Sequence, residues 1–316
     1  MRSISLLIVL AISICAAAAD DPDSLTATVT RMARIGRCTA PQFSPDGKTL
    51  AFISDMSGVP QVWTVPVEGG WPHQITALDD AVGSIEWAPT SDWLALSVAP
   101  GGGMNTQIYL VHSDGTGLKR FTAGGKDNNW LARWTHDGSA LMMSSNIRDG
   151  AAMDSYLLQV PDGKMKLVAQ NPGIGTTEDM SRDGRKVLIS RMQSRGSDDV
   201  YLVEVATGRT VNLTAHEGPG EFAGWFSRDG NTVYLASNKD RDLKAFAKVK
   251  IGADGTPGAI KVIAERPDAE LADFEVNEQG TMAVLMWDVA GKSEMSFLDL
   301  ATEKMTPGPP LPAELA

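Results

Sequence analysis

The sequence predicts an all-β protein, a six-bladed β-propeller whose blades are four-stranded antiparallel sheets. The first observation behind this prediction is a motif that recurs six times: an apolar residue, a polar turn, then an apolar run. Its fullest copy is Phe43-Ser-Pro-Asp-Gly47, followed by Leu50-Ala-Phe-Ile53. The second observation is the even spacing of the motif, whose last turn positions are 47, 91, 138, 184, 230 and 280. Repeats of about 40–50 residues with four strands each are typical of propeller blades.

Each repeat supplies four strand-like segments separated by turn residues. In the second repeat these segments are residues 83–87, 93–98, 107–111 and 118–122. Pro fixes φ, Asp bonds its own backbone and Gly accepts a positive φ, so Ser-Pro-Asp-Gly is turn chemistry. The second segment is the most uniformly apolar, as in an inner strand, and the fourth is more polar, as at an outer edge. The spacing leaves open whether six blades close the ring or form an incomplete seven-bladed ring.

The N-terminus has the order of features of a secretory signal peptide. Arg2 is followed by a mostly apolar run over residues 4–14 and by alanines at 16–19. We therefore predict a signal peptide over residues 1–19, cut after Ala18 or Ala19, and an exported protein that is periplasmic or extracellular. Cys15 follows Ile14 rather than a small residue, which disfavours lipidation there without excluding it.

The mature chain divides into three predicted parts. Residues 20–37 form an N-terminal segment whose strand-like stretch, 25–35, is a candidate closing strand for the last blade. Residues 38–306 hold the six repeats, and residues 307–316 are a Pro-rich tail. After cleavage Cys38 is the single cysteine, so no internal disulfide is expected.

Charge argues against a nucleic-acid partner, and hydropathy argues against a transmembrane segment. The chain has 28 Lys and Arg against 39 Asp and Glu, a net charge of −11, which repels nucleic acid and anionic lipid. No segment after the leader is apolar for the length that a transmembrane helix needs. We therefore expect neither a nucleic-acid partner nor a transmembrane segment.

The motifs of common catalytic sites are missing from the sequence. It has no Gly-x-Ser-x-Gly, and its four histidines lack the spacing of metal ligands. Many carboxylates fall in turns, where bonding to the local backbone accounts for them. The sequence therefore predicts no catalytic residue, no metal site and no cofactor.

The longer loops predict a binding face. In a four-stranded meander, the loops after the second and fourth strands lie on the face opposite the short motif turns, and here they are longer and more varied. Loops held by a rigid scaffold often carry binding residues. The candidate ligand-binding residues on these loops are Met104, Asn105, Asn128, Asn129, Trp130, Arg148, Arg195, Glu217, Lys239 and Arg241.

The motif over residues 43–52 resembles the TolB-type propeller repeat. Residues 34–36, 57–63, 104–109 and 237–241 are similar to the N-terminal propeller of the prolyl oligopeptidase family of serine peptidases. The resemblance implies a propeller that gates access to a hydrolase domain with a Gly-x-Ser-x-Gly elbow. That elbow is absent from this sequence, so peptidase activity does not carry over.

Three functional hypotheses follow and stay open at this point. The first is an exported non-catalytic propeller that binds a protein or peptide. The second is the propeller part, or a truncated form, of a serine peptidase, with a hydrolase domain or subunit as its partner. The third is a propeller enzyme with a central-channel site, for which the first strands and their approaches offer Glu86, Arg133, Glu178, Asp179, Glu221, Asp273 and Glu275.

Overall fold

The computed structural model describes residues 24–33 and 36–311, which divide into two units. The described part of the first unit is the helix α1 (Leu25–Ala33). Ser24 caps this helix, because its Oγ accepts the backbone N–H of Ala27 at 3.1 Å. The predicted signal peptide, residues 1–19, lies outside the described residues.

The strand predicted over residues 25–35 is wrong, since residues 25–33 are helical. The threonines of this stretch favour a strand, but the Ser24 cap and the helical spacing of Leu25 and Val29 favour a helix. The last blade takes all four strands from its own repeat. The helix therefore adds no strand to the sixth sheet.

The second unit consists of six four-stranded antiparallel sheets, each built from consecutive strands. Blade 1 contains β1 (Cys38–Phe43), β2 (Thr49–Ser54), β3 (Gln61–Pro66) and β4 (His73–Gln74). Blade 2 contains β5 (Val82–Trp87), β6 (Trp93–Val98), β7 (Gln107–His112) and β8 (Lys119–Arg120), with a short 3₁₀ helix (Pro100–Gly102) before β7. Blade 3 contains β9 (Asn129–Trp134), β10 (Ala140–Ser145), β11 (Asp154–Gln159) and β12 (Met165–Ala169).

The remaining three blades repeat this order. Blade 4 contains β13 (Gly175–Met180), β14 (Lys186–Ser194), β15 (Ser197–Glu204) and β16 (Thr210–Asn212). Blade 5 contains β17 (Phe222–Phe226), β18 (Thr232–Ser237), β19 (Ala245–Lys250) and β20 (Lys261–Ala264). Blade 6 contains β21 (Glu270–Val276), β22 (Met282–Val289), β23 (Lys292–Asp299) and β24 (Lys304–Pro307). The predicted six-bladed propeller is confirmed.

The recurrent motif forms the turn between the first and second strands of a blade. In blade 1, Ser44 Oγ donates to the Asp46 carboxylate at 2.6 Å, and the same carboxylate accepts the N–H of Lys48 at 3.1 Å. Gly47 closes the turn with a φ of 69°, a conformation that favours glycine. We call the side of the propeller with these turns the turn face, and the opposite side the loop face.

The core lies between neighbouring blades. The last residue of the first strand packs on the preceding blade at four junctions, where Trp87, Trp134, Met180 and Phe226 are buried in separate apolar clusters. A fifth cluster joins blade 5 to blade 6. The burial of apolar side chains is therefore the main interaction that holds neighbouring sheets together.

The junction between blade 6 and blade 1 differs from the other five. Phe43 occupies the position of Trp87 and Trp134 in its blade, yet it is 63% exposed. Among residues 36–311, no apolar cluster spans blades 6 and 1. The junction is thus more loosely packed than its equivalents.

Candidate functional site

The first strands of the blades converge on a central channel. Their next-to-last residues form one level of its wall, which we call the channel layer: Gln42, Glu86, Arg133, Asp179, Trp225 and Glu275. Arg133 of blade 3 reaches two other blades, since its guanidinium carbon lies 3.6 Å from the ring centroid of Trp225 and its Nη2 lies 3.6 Å from Glu275 Oε2. The channel layer is therefore narrow enough for single side chains to cross it.

Glu86 is a channel-layer carboxyl with a raised pKa. Its backbone oxygen accepts Nε1 of Trp134 at 3.0 Å, which holds this end of β5 in place. Its side chain has no hydrogen bond or ion pair among the described residues. Burial raises the pKa of Glu86 to about 7, and the positive charge of Arg133 opposes that rise. A carboxyl that titrates near neutral pH in a cleft marks a functional candidate.

Two further carboxyls that interact with Arg133 lie on β13. The Glu178 carboxylate accepts Thr176 Oγ1 at 2.7 Å, and burial raises the pKa of Glu178. Asp179 accepts the backbone N–H groups of Met180 and Phe226, each at 2.8 Å, so it joins blade 4 to blade 5. Glu178 is therefore bonded within its own strand, whereas the Asp179 carboxylate links two blades.

The turn face of the channel is partly closed by contacts between turns. Arg182 pairs with the carboxylate of Glu278, and Arg228 Nη1 donates to the Glu278 carbonyl oxygen at 2.6 Å. The cavity that remains beside Arg133 at this mouth has a volume of only about 70 Å³. A ligand larger than a few atoms therefore has little room on this side of the channel layer.

The ten candidate residues of the loop face fall into two groups. Met104 is 91% exposed, and Asn105, Arg195 and Glu217 are also exposed, while Trp130 is half-buried. These five stay predictions as ligand contacts.

The other five candidates make contacts within the fold. Asn128 Oδ1 accepts the backbone and the hydroxyl of Thr106, each at 2.9 Å, and Asn129 is fully buried and bonded to Ser145. Arg148 pairs with the buried Asp154, Lys239 Nζ donates to the carbonyl of Ala215 at 2.8 Å, and Arg241 pairs with Glu265. These side chains hold the loops in place.

A Ser–His–Asp chain of contacts between β15 and the loop after β16 is not apparent from the sequence spacing. Ser197 Oγ lies 3.3 Å from His216 Nε2, and His216 Nδ1 lies 3.2 Å from Asp199 Oδ1. Thr214 Oγ1 also donates to Asp199 at 3.0 Å and accepts the N–H of Val200 at 2.9 Å. His216 is thus a buried neighbour of a polar contact between the third and fourth strands of the blade.

The same polar contact occurs in blades that lack a histidine there. Thr76 Oγ1 donates to Gln61 in blade 1 at 2.8 Å, and Thr122 Oγ1 donates to Gln107 in blade 2 at 2.7 Å. Because the contact recurs without histidine, its role is to join strands. We assign no chemistry to His216.

Within residues 24–33 and 36–311, no three His, Cys, Asp or Glu side chains are grouped to hold a metal ion. No helix in those ranges is long and apolar enough to cross a membrane.

Comparison with known proteins identifies the scaffold. Residues 25–155 match the family model of the TolB beta propeller domain. The crystal structure of TolB from Acinetobacter baumannii superposes with a TM-score of 0.56 at 17% identity, over 85% of this chain and 62% of that one. The chain is therefore similar to TolB-type propellers. The resemblance to TolB-type repeats is thereby confirmed.

Curated relatives of this TolB-like propeller include peptidases. It is 26% identical over 182 residues to the uncharacterized peptidase YuxL of Bacillus subtilis, which covers 53% of this chain and 24% of YuxL. It is 24% identical over 219 residues to dipeptidyl aminopeptidase BIII of Pseudoxanthomonas mexicana, over 67% of this chain and 32% of the relative. The matched part is thus only a quarter to a third of these relatives' length.

Solved structures with the same fold differ in function. A prolyl endopeptidase superposes with a TM-score of 0.68 at 13% identity, over 87% of this chain and 43% of that one. An oligogalacturonate lyase in complex with manganese gives the same TM-score at 10% identity, over 86% and 78%. Such a fold match alone does not assign an activity.

Proposed function

We propose that this TolB-like propeller is an exported, non-catalytic protein that binds a protein or peptide, and that its channel accepts a cationic group of that ligand. The observation that carries the proposal is the half-buried Glu86 carboxyl, which has no ion pair among the described residues. A cation that replaces water beside such a carboxylate stabilises its charged form.

The charge balance of the channel favours a cationic ligand over an anionic one. Arg133 is the positive side chain that acts on all three carboxyls of Glu86, Glu178 and Glu275 at this level of the channel. A lysine side chain or a peptide N-terminus would add the missing positive charge. The peptidase names of two relatives are consistent with a peptide ligand.

Export is part of the proposal and rests on the order of charge, apolar run and alanines in residues 1–19. N-terminal sequencing of the protein recovered from the periplasm or the medium tests it. We expect a mature N-terminus at Ala19 or Asp20. Recovery of uncleaved protein from the cytoplasm alone would refute export.

Peptide binding is tested by fluorescence anisotropy with a labelled hexapeptide of Gly and Lys, beside a matched peptide in which Glu replaces Lys. We expect binding of the Lys peptide only, and about a tenfold weaker affinity in the Glu86→Gln variant. Glu68→Gln is the matched control, since Glu68 is exposed after β3 and outside the channel layer. Equal binding of both peptides, or no effect of Glu86→Gln, would contradict the proposal.

A second candidate function is the propeller part of a serine peptidase. It is favoured by the matches to peptidases of which this chain covers only 24% and 32%. The test is affinity purification of the protein from its native cells, followed by labelling with a fluorophosphonate probe for serine hydrolases. A labelled protein that co-purifies in constant ratio supports this function, and none above the background of an untagged strain opposes it.

A further inference from the structure

A cleft of about 540 Å³ lies between blades 1 and 2 on the turn face, outside the channel layer. Thr49 and Thr64 of blade 1 and Trp87 of blade 2 are among its lining residues. Ser91 and Ser113 line it from turns of blade 2. Its volume lies within the range of pockets that hold small molecules.

The cleft exists because threonine stands where the next three blades have leucine. Four positions on the third strands are equivalent, because each pairs with the same level of the second strand of its blade. The pairs are Thr64 with Ala51, Leu110 with Ala95, Leu157 with Met142 and Leu202 with Leu188. The three leucines are buried in the clusters between blades. A threonine is smaller and leaves part of the junction unfilled.

One buried polar atom at this cleft lacks a partner, and one hydroxyl beside it makes no hydrogen bond within the fold. Nε1 of Trp87 is buried and has no hydrogen-bond partner among the described residues, and Trp87 is 8% exposed. At the equivalent position in blade 3, Trp134 Nε1 donates to the Glu86 carbonyl. Thr64 is 7% exposed, and none of the hydrogen bonds described includes its hydroxyl. Because buried polar groups are normally bonded, the Trp87 indole N–H calls for a partner, and the Thr64 hydroxyl is free to bond a ligand in the cleft.

The charges at the cleft restrict that partner. Asp46 is engaged by Ser44 Oγ and the N–H of Lys48, and Asp92 lies 3.1 Å from His112 Nδ1. No Lys or Arg is among the lining residues, so an anion would meet two carboxylates without a positive partner. The groups left for a ligand are hydroxyls, an indole N–H and the imidazole of His73.

We propose that this cleft binds a neutral saccharide of one or two sugar units. Hydroxyls that both donate and accept suit the hydroxyls of a sugar. Pro45, Pro66 and Trp87 supply apolar surface for its C–H faces. The site is independent of the peptide-binding channel, so either can fail without the other.

The test is protein NMR with ¹⁵N-labelled protein and maltose, cellobiose and N,N′-diacetylchitobiose as probes. The chain has eight tryptophans, and Trp87→Phe identifies the indole N–H signal of Trp87 by its loss. We expect at least one sugar to shift the Trp87 signal saturably while the Trp134 signal stays in place. No shift of Trp87 with any of the three sugars up to about 50 mM would overturn the proposal.

Two variants at one position separate binding from folding. Thr64→Leu installs the residue of blades 2–4, and we expect it to keep the fold and to weaken sugar binding at least about tenfold. Thr64→Ser keeps the hydroxyl and should bind within about threefold of the parent protein. Unchanged sugar binding in Thr64→Leu would overturn the assignment of the cleft. If Trp87→Phe does not fold, the signal that Thr64→Leu perturbs most identifies Trp87.

A charged sugar tests the chemical class. Cellobiuronic acid differs from cellobiose by one carboxylate, and we expect it to shift the Trp87 signal more weakly at equal concentration because of Asp46 and Asp92. A stronger response to the acid than to cellobiose would overturn the neutral-saccharide assignment.

Discussion

The guanidinium of Arg133 stacks over the indole of Trp225, 3.6 Å from its ring centroid, although the two residues belong to blades 3 and 5. The same guanidinium faces Glu275 of blade 6. The stack therefore holds a positive charge in the channel layer. The nearby carboxyls have pKa values that are raised by burial.

The first prediction concerns this charge. Arg133 lowers the pKa of Glu86, so Arg133→Gln should move that pKa further above about 7. The measurement is a ¹³C NMR titration of the glutamate carboxyl carbons, assigned with Glu86→Gln. The control is Arg182→Gln, which removes a charge paired with Glu278 at the channel mouth and should leave the Glu86 titration unchanged. An unmoved Glu86 pKa in Arg133→Gln would contradict the described geometry.

The second prediction is a pH dependence of stability caused by Glu86. Its folded pKa of about 7 lies above the ordinary value of 4.5, so the folded state binds the proton more tightly than the unfolded state. Raising the pH from below 4.5 to above 7 should therefore cost about 2–3 kcal/mol of unfolding free energy. Urea denaturation across this range measures the loss, which should be smaller in Glu86→Gln. The same slope in both proteins would refute the assignment to Glu86.

The third prediction compares two phenylalanines at equivalent positions in their blades. Phe226 is buried between blades 4 and 5, whereas Phe43 is 63% exposed at the junction of blades 6 and 1. Phe226→Ala should lower the unfolding free energy by about 3–4 kcal/mol, and Phe43→Ala by less than about 1 kcal/mol. Guanidinium denaturation measures both. Equal losses would show that the last junction is as tightly packed as the others.

The fourth prediction concerns Arg148, which the sequence suggests as a ligand contact. Its guanidinium pairs with Asp154, whose side chain is fully buried. Arg148→Ala leaves that carboxylate without its cation and should clearly lower the unfolding free energy. The exposed Arg195 of the same loop face is the control, and Arg195→Ala should change stability by less than about 0.5 kcal/mol. A negligible loss of stability in Arg148→Ala would contradict the structural role of Arg148 and leave it a candidate ligand contact.

The fold was predictable because turn chemistry is local. In blades 1, 4 and 5 the motif serine bonds to the aspartate two residues later, as Ser44 does to Asp46, so the spacing of these residues marks the blades directly. The helix at residues 25–33 was not predicted, because its threonines suit a strand and its cap is one serine.

The candidate site was predictable only in part. The acidic and basic residues of the first strands are visible in the sequence, but the meeting of Arg133 with Trp225 and Glu275 depends on ring closure over more than 90 residues. For the loop residues, the sequence shows exposed-looking polar side chains but not the partners to which they are bonded. Asn128 is bonded to Thr106 and Lys239 to Ala215, partners that loop composition does not reveal.

The most direct test of the central claim is the affinity of the Gly–Lys hexapeptide at pH 5.5 and pH 8, measured by isothermal titration calorimetry. Lysine keeps its charge over this range, whereas the Glu86 carboxyl ionises near pH 7. We expect about tenfold tighter binding at pH 8 in the parent protein and little pH dependence in Glu86→Gln. Affinity that stays constant or falls as the pH rises would contradict a cation-binding channel.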